Sequence, residues 1–253
     1  MSKKKKKIYG LIGYPLIHSF SEGYFNTKFQ AEGIDARYIN FELPDIGDLM
    51  EVVSEYPDLN GLNVTIPYKE QVLPYMDLMD DTAREIGAVN VIKFIKDNKG
   101  GLKFKGFNTD APAFADTMRA LLTPDRKRAL ILGTGGASKA VDWALKSLGV
   151  ETMKVSRTAA DRVITYADLT EEVIHDHLII VNTTPLGMFP DIDSCPDIPY
   201  EYLTPKHLCY DLLYNPDTTL FMKKSASHGA ETKNGLEMLL LQAFESWNIW
   251  TNS

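Results

Sequence analysis

The stretch Arg128–Thr158, "RALILGTGGASKAVDWALKSLGVETMKVSRT", decides the fold class. Ala129–Leu132 is an apolar run short enough for a buried strand, and Gly133-Thr134-Gly135-Gly136 follows as a turn that admits close backbone approach. Ala137–Leu148 then reads as a helix closed by Gly149. Strand, glycine turn and helix in that order form a phosphate site, because a helix N-terminus carries unpaired N–H groups and the positive end of the helix dipole. Gly133, Gly135, Gly136 and Ala137 are therefore the expected cofactor-binding residues of a dinucleotide site, with Ser138 at the third glycine position of the common fingerprint. A turn with a purely structural role is the alternative.

The next strand, Thr152–Val155, should end at whatever touches the adenosine ribose. An NAD site usually places Asp or Glu there, whereas this chain reads "SRTAADR". Arg157 is a fork-shaped cation suited to a 2′-phosphate, which points to NADP, with Ser156 and Thr158 as further donors and Arg162 as a second cation. Only four residues separate "SRT" from the strand-like Val163–Tyr166. A parallel crossover needs about a dozen. No helix fits, so the third strand is expected to be absent, irregular or antiparallel.

Towards the N-terminus, short apolar runs alternate with helix-like segments: strand 8–12, helix 20–33, strand 36–41, helix 45–55 and strand 60–66. This alternation predicts an α/β unit with a mostly parallel sheet. A helical stretch is expected near 70–85, and "AVNVIKFIKDNKGGLKFKGFNTD" reads as a hairpin around "DNKGG". The second α/β unit starts near Lys127, with the boundary inside the helix following Asp110. Farther on, the strand Leu178–Val181 precedes "NTTPLGM", expected as a cofactor-facing loop.

Within "GLNVTIPYKE", Gly61–Glu70, an apolar β-branched run meets a proline and then a lysine. Proline cannot donate to a sheet ladder, so Pro67 should end the strand and Lys69 should emerge at its exit. Strand ends are where α/β proteins keep their chemistry.

Composition bounds the function classes. The 253 residues are 44% hydrophobic, enough for one large core or two modest ones. A net charge of −7 argues against non-specific nucleic-acid binding. Cys195 and Cys209 lack metal-site spacing and suggest no disulfide framework. The lysines of "MSKKKKKIYGLIGYPLIHS" precede an apolar stretch broken by Gly10, Gly13 and Pro15 with no cleavage site after it, so a solvated tail is expected rather than a signal peptide. No apolar run approaches the roughly 20 residues of a membrane span, and the expectation is a cytoplasmic protein with no membrane association.

In order and spacing, "GLIGYPLIHSFS", "GLNVTIPYK", "IGAVNV", "GFNTD", "LGTGGASKA", "SRT", "NTTPLGM", "YDLLYNP" and "NGLEMLLLQ" resemble the shikimate dehydrogenase family over nearly the whole chain. The resemblance implies an N-terminal α/β substrate-binding domain, residues 1–109, rejoined by a C-terminal helix, 236–253. A Rossmann-like NADP-binding domain, 110–235, would have a reduced third-strand region. It implies reversible NADP-linked interconversion of 3-dehydroshikimate and shikimate, a step towards chorismate and the aromatic amino acids. Lys69 and Asp110 would be the catalytic pair. Ser19 and Ser21 would hold the substrate carboxylate, and Asn63 and Thr65 would contact ring hydroxyls or that carboxylate. Asn90, Tyr214 and Gln242 would complete the pocket, and Gly235 would join the cofactor-binding set. His18 is read as structural. The partner is the small-molecule substrate, and the protein is expected as a monomer or homodimer.

The chain departs from the family pattern at Glu22, where proline is usual, at Phe25, where histidine is common, and at Ser156, where asparagine is frequent. Two alternatives stay open: an NAD-linked quinate/shikimate dehydrogenase, and a non-catalytic regulatory module that binds shikimate-like acids. Retention of both Lys69 and Asp110 speaks against the second. Hydride transfer needs donor and acceptor carbons within about 3–3.5 Å, so a cleft between the two domains is expected.

Overall fold

The computed structural model describes residues 6–16 and 19–252. The first lysines of the tail and His18 lie outside them. The chain divides into two compact units, one holding residues up to Thr109 together with those from Ala243 onward, the other running from Asp110 to Gln242.

The first unit carries six strands, β1 (Lys7–Gly13), β2 (Ala36–Glu42), β3 (Leu59–Val64), β4 (Leu78–Met79), β5 (Val91–Lys96) and β6 (Leu102–Phe107), in the order β2-β1-β3-β5-β6-β4. β1 pairs in parallel with β2 and β3, while β5 runs antiparallel to β3 and β6. Its helices are α1 (Phe20–Ala31), α2 (Leu49–Glu55), α3 (Tyr68–Gln71) and α4 (Asp81–Ile86). The expected hairpin is β5–β6. Asp97 Oδ1 closes its turn by accepting from the N–H of Lys99 at 2.8 Å and of Gly101 at 2.7 Å.

The helical stretch expected near 70–85 is broken instead into α3, a short 3₁₀ turn at Leu73–Tyr75, the two-residue β4 and α4. Pro74 interrupts the helical ladder, and Asp80 starts a new helix by accepting from Ala83 N at 2.8 Å. β4 then adds to the edge of the sheet, parallel to β6.

The second unit opens with α5 (Asp110–Arg119) and holds β7 (Arg128–Leu132), α6 (Gly136–Ser147), β8 (Glu151–Ser156), β9 (Val163–Thr165), α7 (Glu171–Asp176), β10 (Ile179–Asn182), β11 (Leu208–Asp211), α8 (Leu220–Ser227) and β12 (Glu231–Lys233). The strand order β12-β11-β10-β7-β8-β9, all parallel, is that of a doubly wound dinucleotide-binding sheet. β7 and β10 are wholly buried at Leu130, Ile131, Leu132, Ile179, Ile180 and Val181, as central strands covered on both faces must be.

The third strand corrects the sequence expectation. β9 is present and parallel to β8, pairing Lys154 with Val163 and Ser156 with Thr165. The dozen-residue requirement holds for a full-length strand, whose crossover must travel the whole strand back. A three-residue ladder needs a return of only two residue rises, about 7 Å, which a short loop spans. Arg162, at φ 56°, and a bridge between Ala160 and Val163 make the turn. With no helix in this connection, a groove of about 720 Å³ remains, lined by Asp142, Lys146, Thr152, Lys154, Asp161 and Arg162 among others.

The last helix, α9 (Leu236–Thr251), starts in the second unit, and its residues from Ala243 onward group with the first.

Candidate active site

In the first sheet β2 and β3 flank β1 on opposite sides, so the chain reverses its winding there, and the C-terminal ends of β1 and β3 are where a sheet of this kind places a binding crevice. The loops leaving β1 and β3 are joined by Tyr14 N donating to Ile66 O at 3.0 Å. Gly13 permits this contact, since a Cβ there would lie 2.4 Å from Thr65 Cγ2. Thr65 is half-buried just past the end of β3.

Ser19 is the N-cap residue of the twelve-residue α1 yet makes no side-chain cap bond. Its Oγ is buried with no hydrogen-bond partner among the described residues. An orphaned hydroxyl at the positive end of a helix is a place for an anion. Ser21, two residues on, interacts with the Tyr38 hydroxyl. Glu22, a departure from the pattern in which proline is usual here, accepts from Asn40 Nδ2 at 2.9 Å.

Asn63 is 5% exposed, accepts from the Tyr38 hydroxyl at 2.7 Å and donates to Ser246 Oγ at 2.9 Å. Asn90 is bound at both ends of its amide by Thr109, with Nδ2 donating to Oγ1 at 2.9 Å and Oδ1 accepting from the backbone N–H at 2.7 Å. Val89 N donates to Lys69 O at 2.8 Å, which ties "AVN" to "PYK". Lys69 itself is half-buried on the single turn of α3, after a strand that ends at Val64 rather than at Ile66.

Asp110, Tyr214 and Gln242 belong to the second unit. Asp110 is 6% exposed and opens α5. Tyr214 is half-buried, and Gln242 Nε2 donates to Leu239 O at 2.9 Å on its own helix.

The second sheet has its own reversal between β7 and β10, and the glycine turn lies at that point. Gly133 stands at φ 114°, and a Cβ there would lie 2.6 Å from Thr183 Oγ1. Thr183 in turn gives both its backbone N–H (3.0 Å) and its hydroxyl (2.7 Å) to Leu132 O, which binds the "NTTPLGM" loop to the turn. A Cβ at Gly135 would meet no atom within 4 Å among the described residues beyond its own chain neighbours. α6 starts at Gly136 and Ala137 without a side-chain cap, while Ser138, at the third glycine position, donates to Gly135 O at 2.9 Å. Open space beside uncapped helix N–H groups fits a pyrophosphate.

Ser156 ends β8, and Arg157 and Thr158 are exposed beyond it. These residues fit a 2′-phosphate in donor type and exposure. Gly235 has a packing reason of its own: its N–H donates to Leu213 O at 2.9 Å, and a Cβ would come within 2.0 Å of Leu212 O.

One organising residue was missed. Asp211, fully buried at the end of β11, accepts from Asn182 Nδ2 (3.1 Å), Leu213 N (3.1 Å) and the Thr219 hydroxyl (2.6 Å). It links the loop after β10 to the one carrying Tyr214, and burial pushes its carboxyl up to about 6. The signal was present in "YDLLYNP", where a carboxylate directly follows an apolar strand. Tyr38 and Ser246 were missed too, since neither stands in a motif and both act through Asn63, distant in sequence.

A model of the shikimate dehydrogenase substrate binding domain matches residues 11–92. The NADP(+)-dependent shikimate dehydrogenase of Desulforamulus reducens is 36% identical over 270 aligned positions, covering 98% of this chain and 90% of that protein. Among solved structures, shikimate dehydrogenase from Aquifex aeolicus superposes with a TM-score of 0.85 at 33% identity, covering 100% of this chain and 95% of that one. A shikimate dehydrogenase in complex with NADP+ gives 0.84 at 31% identity, with coverage of 100% and 92%. A quinate dehydrogenase from Corynebacterium glutamicum bound to NAD also reaches 0.83 at 27% identity over 98% and 94%, so shape alone does not separate the two substrates. Identity at this level over nearly the full length, on two sheets of matching topology, establishes that the chain belongs to the shikimate dehydrogenase family.

Proposed function

We infer that the chain catalyses the reversible NADP-linked interconversion of 3-dehydroshikimate and shikimate, and that its own residues divide the work as follows. Ser19 and Ser21 take the substrate carboxylate, and Asn63, Thr65, Asn90, Tyr214 and Gln242 take ring hydroxyls. The observation that carries this reading is Ser19: a buried hydroxyl at a helix N-terminus, without a partner among the described residues, is what a carboxylate completes.

When bound, NADPH supplies the hydride to the carbonyl carbon. The Lys69 ammonium then stabilises the negative charge that develops on the carbonyl oxygen and protonates it, and in the reverse direction receives the hydroxyl proton. Asp110 orients that ammonium and hydrogen-bonds a neighbouring hydroxyl. On the cofactor side, Gly133, Gly135, Gly136 and Ala137 receive the phosphates through backbone N–H groups, Ser156, Arg157 and Thr158 take the 2′-phosphate, and Gly235 contributes backbone. The setting is the cytoplasm, and the working form is a monomer or homodimer, which light scattering distinguishes.

The deciding experiment follows absorbance at the NADPH band with purified protein and each pairing of shikimate or quinate with NADP or NAD. The highest kcat/KM is expected for shikimate with NADP. Faster turnover of quinate with NAD would identify the catabolic sister enzyme, and no turnover of either acid despite binding would leave a binding module.

A further inference from the structure

Tyr38 and Ser246 hold a proposed substrate group, although no motif assigns either of them. Tyr38 is fully buried on β2, its ring stacked on Phe25 with centroids 4.7 Å apart and planes 11° apart. Its backbone is fixed by the Asn26 amide, which donates to Tyr38 O and accepts from Tyr38 N, both at 2.9 Å. The phenol is thereby aimed without rotational slack, and it meets Asn63 Oδ1 at 2.7 Å. On the other side Asn63 Nδ2 lies 2.9 Å from Ser246 Oγ and 3.4 Å from Asn90 O.

The orientation of the amide follows from donor and acceptor chemistry. A backbone carbonyl only accepts, so the amide nitrogen must face Asn90 O, and the oxygen must face the phenol. Both protons of Nδ2 are then directed at protein acceptors. Oδ1 has two lone pairs and Tyr38 uses one, so what Asn63 can offer a ligand is an acceptor. A carboxylate has no proton to give it, whereas a ring hydroxyl does.

We propose that Tyr38 and Ser246 are positioning residues for substrate: with Asn90 O setting the flip, they hold the Asn63 amide in the orientation that presents an acceptor to a ring hydroxyl and leave the carboxylate to the serines at α1. The inference rests on the reading of Asn63 as a substrate-binding residue. An amide held only by Asn90 O would spend part of its time with Oδ1 turned away, and the two hydroxyls remove that loss before the substrate arrives.

Steady-state kinetics on Tyr38→Phe, Ser246→Ala, Asn63→Ala and the Tyr38→Phe/Asn63→Ala double variant test it, with thermal melts to show that each is folded. Tyr38→Phe keeps the stack on Phe25 and should raise the KM for shikimate about five- to tenfold, as expected for one buried neutral hydrogen bond, with kcat and the KM for NADP within about twofold. Ser246→Ala should raise it about two- to threefold by the same reasoning. In the Asn63→Ala background the effect of Tyr38→Phe should shrink to what its contact with Ser21 carries, because the amide it positions is gone. A Tyr38→Phe KM within about 1.5-fold of wild type while Asn63→Ala raises it, or full additivity in the double variant, overturns the positioning role alone. If Asn63→Ala leaves the shikimate KM unchanged, the assignment of Asn63 to substrate falls, and this inference with it. Should Asn63→Ala not fold, Asn63→Ser takes its place in the cycle.

Discussion

The two sheets each reverse their winding once, and each reversal carries a candidate binding region, but the regions are made of different material. At the first, around β1 and β3, the groups proposed for recognition are side chains: Ser19, Ser21, Asn63, Thr65 and Lys69, with Tyr38 and Ser246 proposed behind them. At the second, around β7 and β10, they are main chain, a glycine turn and an uncapped helix start. A small polyhydroxy acid must be read hydroxyl by hydroxyl, which needs specific side chains, whereas a pyrophosphate needs only N–H groups and room. Single side-chain changes should therefore cost most in the first unit, and in the second the damaging changes should be those that add atoms or remove a charge.

The largest expected effect is at Lys69. Lys69→Met should lower kcat by about 10²–10⁴, or roughly 3–5 kcal/mol of barrier, while calorimetry shows shikimate binding much less altered. Asp110→Asn should also be strongly impaired. Retention of more than about a tenth of wild-type kcat by Lys69→Met, with hydride transfer rate-limiting, would remove the acid–base role.

Asp211 is the exception that tests the contrast, a buried side chain organising the main-chain region. Burial raises its carboxyl from the ordinary 3.8 to about 6, so as pH rises through this window the unfolded chain gives up its proton before the folded one. The folded state then holds more protons, and stability must fall with rising pH. Wild type should lose on the order of 2–3 kcal/mol between about pH 4 and pH 6 relative to Asp211→Asn, which lacks this titration. Denaturant unfolding across that range measures it, and parallel curves for the two proteins would show that Asp211 does not titrate there.

Arg157→Ala should erase most of the preference for NADP over NAD, since charge-assisted pairs contribute about 1.5–3 kcal/mol, or roughly 10- to 150-fold. An unchanged ratio would transfer the 2′-phosphate to Arg162. The smallest effect sharpens the comparison inside a single turn. Gly133→Ala should destabilise the protein by about 1–2 kcal/mol, because φ is positive there and Thr183 occupies the space. Gly135→Ala should leave stability within about 0.5 kcal/mol and weaken only NADP binding. Equal losses of stability in the two variants would contradict a ligand-facing role for Gly135.

Legibility follows the same division. The turn at Gly133–Gly136 and the strands around it were readable because local backbone demands write themselves into local sequence: a positive φ, a short apolar run, a helix stop. The hairpin at Asp97–Gly101 was readable for the same reason. β4 was not, because two residues, Leu78 and Met79, have no periodicity, and their strand character comes from pairing with Lys105 and Gly106 far along the chain. β9 was misjudged because a rule about crossover length was applied without the length of the strand to be crossed. In the candidate site, Lys69 and the serines stood in motifs, but Tyr38, Ser246 and Asp211 act through contacts to residues 25, 183 and 29 positions away, a separation no local pattern encodes.

Trp250 fits over Gly61, where any Cβ would lie 2.2 Å from its indole nitrogen, and that nitrogen donates to Ile92 O at 3.0 Å. Synthesis runs from the N-terminus, so the first unit is begun before the second but lacks Trp250, Ser246 and Ala243 until the second has been made in full. At about 5–20 residues per second, the 144 residues from Asp110 to Ser253 (253 − 109) keep it waiting roughly 7–30 s. Throughout that interval Gly61 and the aromatic cluster of Tyr9, Phe25 and Tyr38 stand without the indole that stacks beside them. The first unit, although begun first, is therefore completed last, by its own C-terminal segment.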